Sequence, residues 1–407
     1  MQRRDFLKVA STSAVLGTFN LSNGAELNKH KSVIQIFLAG GASGYETFYA
    51  NPGGIEKARS TTGFVQTKTP GIYFGGNYTN LSAISDKLTV INSFGHNDAS
   101  HSSATFYVNT GMVIGDRTDN AQPDFPSRGS LVSSVVGPTK NNGMPTYTAI
   151  NRLYSDNVAW LSKTYAPYES SGDSIRNLTI KVEKDRFDAR KELLYGFSRT
   201  ELNDRNGFAN AWNGFQEQTY NMLTGNIKEV FDINKESEKV RLKYGKTKIG
   251  DDCLLASRLV ENGGVFISIV STGWDNHEKI QERQNIIDPP LDKALASLIE
   301  DIHNKGLQND VLIVVSTEFS RTLVNSNFGR DHASNFTGLL LSGGRYIGGS
   351  IGKHDDKLQS VISKKYSSSD LSVTIYDHLG IDYSSVQRID SAGRPRYLVS
   401  DGASLIL

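Results

Sequence analysis

Hydrophobic residues along this chain are concentrated in short, uninterrupted runs, each of which ends at glycine or at polar residues. Runs of this kind, without alternation of apolar and polar positions, predict strands that are buried on both faces, as in a parallel sheet. The predicted strands are residues 33–38, 88–91, 265–270, 311–315 and 339–341.

A different spacing between the third and fourth runs predicts a helix. From Leu291 to Ile302, apolar residues recur at intervals of four, three and four, which places them on one helical face. Asp288 and the two prolines after it predict the start of this helix, and Gly306 predicts its end. Strand, helix and strand in this order form a βαβ unit.

Two further segments complete the predicted architecture. Residues 370–380 are expected to form a closing helix, capped by Ser369 or Asp370. The polar stretch over about 150–250 predicts a helical insertion or cap over the sheet. We therefore expect an α/β fold, a three-layer sandwich with a mainly parallel central sheet.

The N-terminal residues indicate export. Residues 2–8 read Gln-Arg-Arg-Asp-Phe-Leu-Lys, which matches a twin-arginine signal. The mildly apolar run over 9–21 is too short and too polar for a membrane span. An ordinary basic amphipathic N-terminus is the alternative. We expect a signal peptide over 1–25, one α/β domain over 26–407, no transmembrane span in the mature chain, and a periplasmic or secreted protein.

Composition excludes several classes of function. Lys plus Arg number 44 and Asp plus Glu number 43, so the charge balance gives no reason to expect a nucleic-acid partner. Cys253 is the one cysteine. An intramolecular disulfide and a Cys-rich zinc site are therefore both excluded.

Polar side chains of metal-binding type follow the predicted strands. Asp275 and His277 come after the third strand, and Asp331 and His332 lie in a loop after the fourth. Ligands in open α/β sheets sit at the carboxyl ends of strands. Carboxylate and imidazole together favour Zn, Mn or Fe over Ca. A capping aspartate beside a surface histidine is the alternative explanation for the first pair.

Other residues near these strand ends could carry chemistry. Glu318 could bind metal or act as a base, and Arg321 and Arg330 could each hold a phosphate or sulfate oxygen. Ser100 or Ser102 could be a nucleophile that is activated by metal or by His101. Plain turns and a surface Glu–Arg pair would also account for these residues.

Taken together, these motifs resemble a known family. Residues 273–277, 317–322 and 329–332 read Gly-Trp-Asp-Asn-His, Thr-Glu-Phe-Ser-Arg-Thr and Gly-Arg-Asp-His. They resemble motifs of the twin-arginine-exported proteins grouped as domain of unknown function 1501, a sulfatase-like branch of the alkaline phosphatase superfamily. The resemblance implies an alkaline-phosphatase-like fold and a metal-dependent hydrolase of sulfate or phosphate esters.

Three positions depart from the pattern of the family or of the superfamily. Ser43 stands where the family has an acidic residue, Phe319 where the superfamily has a histidine ligand, and Ala99 where the family has arginine. The resemblance therefore implies one metal site, with Asp275, His277 and His332 as ligands and Asp331 as a further candidate, and a second site depleted to Glu318.

Two functions are consistent with these residues and with the resemblance. The first is an exported hydrolase that uses one divalent metal ion and acts on a small-molecule or glycan ester. The second is a degenerate, non-catalytic relative that serves in binding or assembly at the cell surface. The sequence does not identify a protein partner.

Overall fold

The structure is a computed structural model, and it describes residues 31–112, 125–139, 143–170, 175, 178–180, 182–201 and 208–399. The predicted signal peptide over 1–25 lies outside these residues. No helix in the described part of the chain has the length and hydropathy needed to cross a membrane.

Eight strands form the central sheet, in the order β12-β4-β11-β8-β1-β7-β5-β6. Strand β11 runs antiparallel to both of its neighbours, and every other pairing in this sheet is parallel. All described strands, in chain order, are β1 Ser32–Ala39, β2 Phe64–Gln66, β3 Tyr73–Gly75, β4 Thr89–Ile91, β5 Tyr147–Ile150, β6 Tyr168–Glu169, β7 Phe266–Thr272, β8 Val311–Ser316, β9 Ser320–Val324, β10 Arg330–Ala333, β11 Leu339–Ser342, β12 Gly349–Ile351, β13 Gln387–Ile389 and β14 Pro395–Tyr397.

Helices cover both faces of this sheet. They are α1 Thr79–Ala83, α2 His101–Thr110, α3 Arg128–Val136, α4 Lys184–Glu201, α5 Phe208–Thr224, α6 Ile227–Phe231, α7 Glu238–Tyr244, α8 Lys248–Glu261, α9 Ile280–Asn304 and α10 Ser368–His378. Alternate side chains of β1 enter two separate cores: Ile34 and Ile36 pack with α8 and α9, and Val33 and Phe37 pack with α2, α3 and α10. The predicted three-layer α/β fold with a mainly parallel sheet is confirmed.

The start predicted for the long helix is wrong. Helix α9 begins at Ile280, and both prolines lie inside it. Gln284 and Asp288 are fully buried on its inner face. Because these two buried positions are polar, the apolar pattern starts only at Leu291, although the buried face of the helix begins nearer its N-terminus.

The cap of the closing helix also differs from the prediction. Ser367 is the N-cap of α10, and its hydroxyl accepts a hydrogen bond from the Asp370 N–H. The Asp370 carboxylate in turn accepts from the Ser367 N–H at 2.8 Å. This reciprocal pair is a capping box.

Candidate metal centre

The candidate site lies at the carboxyl edge of the sheet. Loops from β1, β4, β7 and β8 meet there, and these strands lie close together in the sheet order. Gly40, after β1, has a φ of +118°, and a Cβ at this position would lie 2.6 Å from the backbone nitrogen of Asp275. Only glycine therefore allows the loops after β1 and β7 to pack this closely.

Three imidazoles surround the carboxylate of Asp275. His277 Nε2 lies 2.9 Å from Asp275 Oδ1, and His332 Nε2 lies 3.4 Å from the same oxygen. His101 Nε2 lies 3.3 Å from Asp275 Oδ2. His277 Nε2 and His332 Nε2 are 3.1 Å apart. The structure thus brings together two residues that follow β7, one on β10 and one at the start of α2.

The other ring nitrogen of each histidine contacts an acceptor. His101 Nδ1 lies 2.8 Å from Glu318 Oε1, and His277 Nδ1 lies 2.9 Å from Asp331 Oδ1. His332 Nδ1 lies 2.9 Å from the Ala99 carbonyl oxygen. A carbonyl or an ionised carboxylate can only accept, so each Nδ1 carries the proton and donates it.

These contacts determine where the lone pairs point. A neutral ring with its proton on Nδ1 presents a lone pair at Nε2, and all three Nε2 atoms face the Asp275 carboxylate. Neutral rings at these distances repel the carboxylate unless a positive charge, either a metal ion or an added proton on a ring, lies between them. His101, Asp275 and His332 have ligand atoms within 4.8 Å of one another, so the donor set fits a metal ion.

The charge of Asp275 is stabilised by the protein itself. Partial burial acts to raise the pKa of Asp275, but the hydrogen bond and charge of Arg321 outweigh it and lower the pKa to about 2. The Glu318 hydrogen bond raises the pKa of His101, whereas partial burial lowers the pKa of His332. Asp275 therefore remains anionic and suited to a cation.

Glu318 is positioned to orient His101. Its side chain is buried, and it accepts hydrogen bonds from the Gly40 N–H at 2.7 Å and from Thr317 Oγ1 at 3.0 Å. The third contact is the one from His101. A carboxylate that holds the outer nitrogen of a metal-binding histidine fixes the direction of the ring.

Arg321 does not face the opening of the site, contrary to the anion-holding role expected from the sequence. Its side chain is 1% exposed. Its guanidinium donates to the carbonyls of Gly40, Gly41, Trp274 and Arg330 and to Asp275 Oδ1. These acceptors leave the guanidinium inside the protein, where it holds three loops together.

Arg330 is committed to internal contacts in the same way. It is fully buried, and it forms an ion pair with Glu46 at 2.9 Å. Its remaining N–H groups donate to the carbonyls of Lys57, Arg59 and Thr322. All five donors of the guanidinium therefore have an acceptor, and none is available to a substrate.

Two departures from the family pattern also have a structural role. Phe319 is fully buried, and its ring centroid lies 4.4 Å from that of His332 and 4.9 Å from that of His101. Ser43 is buried beside Glu46, to which it donates a hydrogen bond. An aromatic ring thus supports two of the imidazoles at the position where the resemblance led us to expect a histidine ligand.

Ser100 is the N-cap residue of α2, directly before His101. Its N–H donates to Asp98 Oδ1 at 2.9 Å. Activation of a serine by metal and activation by His101 were the two expectations, and the structure turns the His101 Nε2 toward Asp275. No sequence signal pairs His101 with Asp275, because 174 residues separate them along the chain.

With the fold and the site described, the family can be assigned. Residues 30–406 match the family model described as protein of unknown function (DUF1501). The chain belongs to this family. The family predicted from the three motifs is therefore confirmed, and the match covers every residue of the candidate metal centre.

Solved structures give weaker similarities. A sulfatase from Pseudoalteromonas sp. (PsFucS1) is 12% identical with a TM-score of 0.41, and 94% of this chain and 73% of that one are covered. An alkaline phosphatase superfamily protein from Vibrio parahaemolyticus is 11% identical with a TM-score of 0.39, at 87% and 67% coverage.

The C-terminal periplasmic domain of EcEptC from Escherichia coli, in complex with Zn, is 12% identical with a TM-score of 0.39, at 90% and 87% coverage. No curated protein matches this chain in sequence. At such low identities and TM-scores, these similarities do not indicate what this chain binds or transforms.

Proposed function

We propose that this DUF1501 protein is a metal-dependent hydrolase of sulfate or phosphate esters with one metal site. The observation that carries the proposal is the convergence of three imidazole Nε2 atoms on the Asp275 carboxylate. Asp275 and His277 are each 45% exposed, so the centre is open to solvent and to a substrate. The substrate class follows from the motif resemblance and covers small-molecule and glycan esters.

The donor set favours a particular kind of ion. The two imidazole nitrogens and one carboxylate of His101, His332 and Asp275, with the His277 imidazole beside them, suit a borderline transition metal such as Zn, Mn or Fe, whereas Ca prefers six or more oxygens. Such an ion would activate a water molecule and polarise an ester oxygen.

The protein's own residues would supply the rest. Asp275 would balance the charge of the ion, and Arg321 would keep that carboxylate ionised and in place. Glu318, Asp331 and the Ala99 carbonyl would orient the three rings. Phe319 would keep water away from one side of two of them. Neither buried arginine would contact the ester, so the anionic group would be bound at the metal centre itself.

We also propose export by the twin-arginine route, on the basis of residues 2–8. This route carries folded proteins, so the metal centre would be assembled before export. Cell fractionation of the full chain and of an Arg3→Lys/Arg4→Lys variant tests this point. Retention of the variant in the cytoplasm is expected, whereas export of both would contradict the proposed route.

Elemental analysis tests the metal site. Protein purified without chelator should contain about one transition-metal ion per chain, and an Asp275→Asn/His332→Gln variant should contain little. His303→Gln is the matched control, because His303 lies on α9 outside the cluster. Equal metal in all three proteins, or none in any of them, would contradict the proposed centre.

Turnover tests the reaction. Aryl sulfates and aryl phosphates should be hydrolysed by the metal-loaded protein and by the His303→Gln control, and not by the Asp275→Asn/His332→Gln variant. Activity that persists in the variant would show that hydrolysis takes place elsewhere.

One observation favours the second candidate, a metal-stabilised binding or assembly protein. If Asp275 and the three histidines around it all bind the ion, these four side chains fill a tetrahedral shell, as in structural zinc sites. The absorption spectrum of the Co(II)-substituted protein distinguishes the two. A spectrum that changes on addition of inorganic phosphate indicates an open position, and one that does not change, together with absence of turnover, favours a structural ion.

A further inference from the structure

A large cavity lies far from the metal centre. Its volume is about 890 Å³, which is within the range of small-molecule binding sites. Thr146 and Tyr147, at the start of β5, form part of its floor. Tyr147 pairs with Phe266, at the opposite end of β7 from Asp275. Since β7 extends from Phe266 to Thr272, about 20 Å of strand separates the two regions.

The walls of this cavity are mainly apolar. They come from edge strand β6 and from helices α4 and α5. Phe187 on α4 stacks on Tyr220 of α5, with ring centroids 5.7 Å apart and an interplanar angle of 14°. The other apolar wall residues include Tyr168, Leu194, Phe215 and Met222. Aromatic and aliphatic walls of this kind suit a ligand with an extended apolar body.

The charged residues that line the cavity all have the same sign. Lys163, Arg190 and Lys191 belong to the lining, and no Asp or Glu does among the residues described. Lys163 and Arg190 are exposed at the rim. Lys191 Nζ lies 3.5 Å from the centre of the Tyr220 ring, and 3.5 Å from Glu217 outside the cavity. An apolar interior with a cationic rim is complementary to an anion that carries an apolar tail.

We propose that this cavity binds an amphiphilic anion of the long-chain fatty acid class. The apolar chain lies between α4, α5 and β6, and the carboxylate is placed at the rim beside Lys163 and Arg190. This site is separate from the metal centre and does not depend on the proposed hydrolase activity.

Fluorescence titration with cis-parinaric acid, a fluorescent long-chain carboxylate, tests the proposal. We expect saturable binding at one site per chain, with displacement by dodecanoate and much weaker displacement by dodecan-1-ol. Lys163→Gln/Arg190→Gln should weaken binding about tenfold, because two favourable charge interactions are lost.

A pair of neighbouring leucines provides a matched control. Leu194 lines the cavity, whereas Leu193 does not, and both are at least half exposed on α4. Leu194→Glu places a carboxylate in the cavity and should reduce affinity more than tenfold. Leu193→Glu adds the same charge on the same helix and should leave affinity within about twofold.

Three results of these titrations would overturn the proposal. They are absence of saturable binding, equal displacement by the acid and the alcohol, and equal effects of the two leucine variants. A carboxylate could also bind at the metal centre. Loss of probe binding in the Asp275→Asn/His332→Gln variant, with affinity retained in Leu194→Glu, would place the ligand at the metal centre and refute binding in the cavity.

Discussion

Replacement of Arg321 by methionine tests two roles against each other. In the structure Arg321 holds loops together inside the protein, whereas the sequence suggested that it binds the anionic group of a substrate. Methionine has a similar length but donates no hydrogen bonds. In the variant, the buried carbonyls of Gly41 and Arg330 lose a donor, and Asp275 loses its ion-pair partner. A buried acceptor without a donor costs about 1–3 kcal/mol, and breaking a buried ion pair costs about 3–5 kcal/mol.

Because Asp275 is partly exposed and recovers some hydration, we expect a total loss of about 4 kcal/mol. An unfolding entropy of about 2.1 cal/mol/K per residue over 407 residues is roughly 0.85 kcal/mol/K. The melting temperature should therefore fall by about 5 °C. Differential scanning calorimetry measures this shift, and the midpoint of urea unfolding provides an independent check.

Arg345→Met is the matched control. Arg345 is 52% exposed and pairs with Asp377 at the surface, so its replacement should cost no more than about 1 kcal/mol. If Arg321→Met melted within about 1 °C of the wild type and yet lost all turnover, the internal role would be refuted. The anion-binding role expected from the sequence would then be the better explanation.

Three further predictions concern the surroundings of the site and the long helix. Gly41→Ala should destabilise the protein by about 2 kcal/mol or more, since φ is +68° and the new Cβ would lie 2.4 Å from Phe319. Gly63→Ala is the control, since Gly63 has a φ of +79° and open space around it and its replacement introduces backbone strain alone. Equal losses of unfolding free energy for the two variants in urea would disprove the steric explanation. Asp331→Asn should weaken metal binding by about 10–100-fold, because it disturbs the contact of Asp331 with His277 Nδ1. Competition with a chromophoric chelator measures the affinity, and an unchanged value would contradict this positioning role. Burial raises the pKa of Asp288 to about 8, so the folded state retains its proton, and the resulting stability is complete below about pH 4 and declines as the pH rises toward 8. Asp288→Asn should remove this decline when urea midpoints are compared at several pH values, and an unchanged slope would count against the raised pKa.

The parts of the fold that were predicted are those whose residues form a recognisable pattern along the sequence. Strand β1 is buried on both faces, and therefore appears in the sequence as an uninterrupted apolar run. The same reasoning found β7 and β8 and placed Asp275 and His332 near one edge. Strands β5 and β6 are short and carry hydroxyl or carboxyl side chains, so no run indicated them.

The functions of individual side chains were less predictable, because they depend on partners without a sequence signature. The acceptors of Arg321 are mostly backbone carbonyls, which every residue has, so no motif could show that its guanidinium is enclosed. His101 was expected to assist a serine, and its direction depends on Glu318, which lies 217 positions away. Spatial proximity of this kind arises only from the packing of the whole sheet.

The outer contacts of the three imidazoles also constrain when the site can exist. Ala99 and His332 are 233 positions apart, and His101 and Glu318 are 217 apart, so the rings are oriented only after segments that are distant along the chain have come together. An unfolded chain would have no comparable affinity for the ion. Metal binding would therefore not initiate folding, and it would add stability in proportion to the logarithm of the free metal concentration once that exceeds the dissociation constant. In a metal-poor compartment the chain would fold first, and the supply of the ion would then set how strongly the folded state is favoured over the unfolded state.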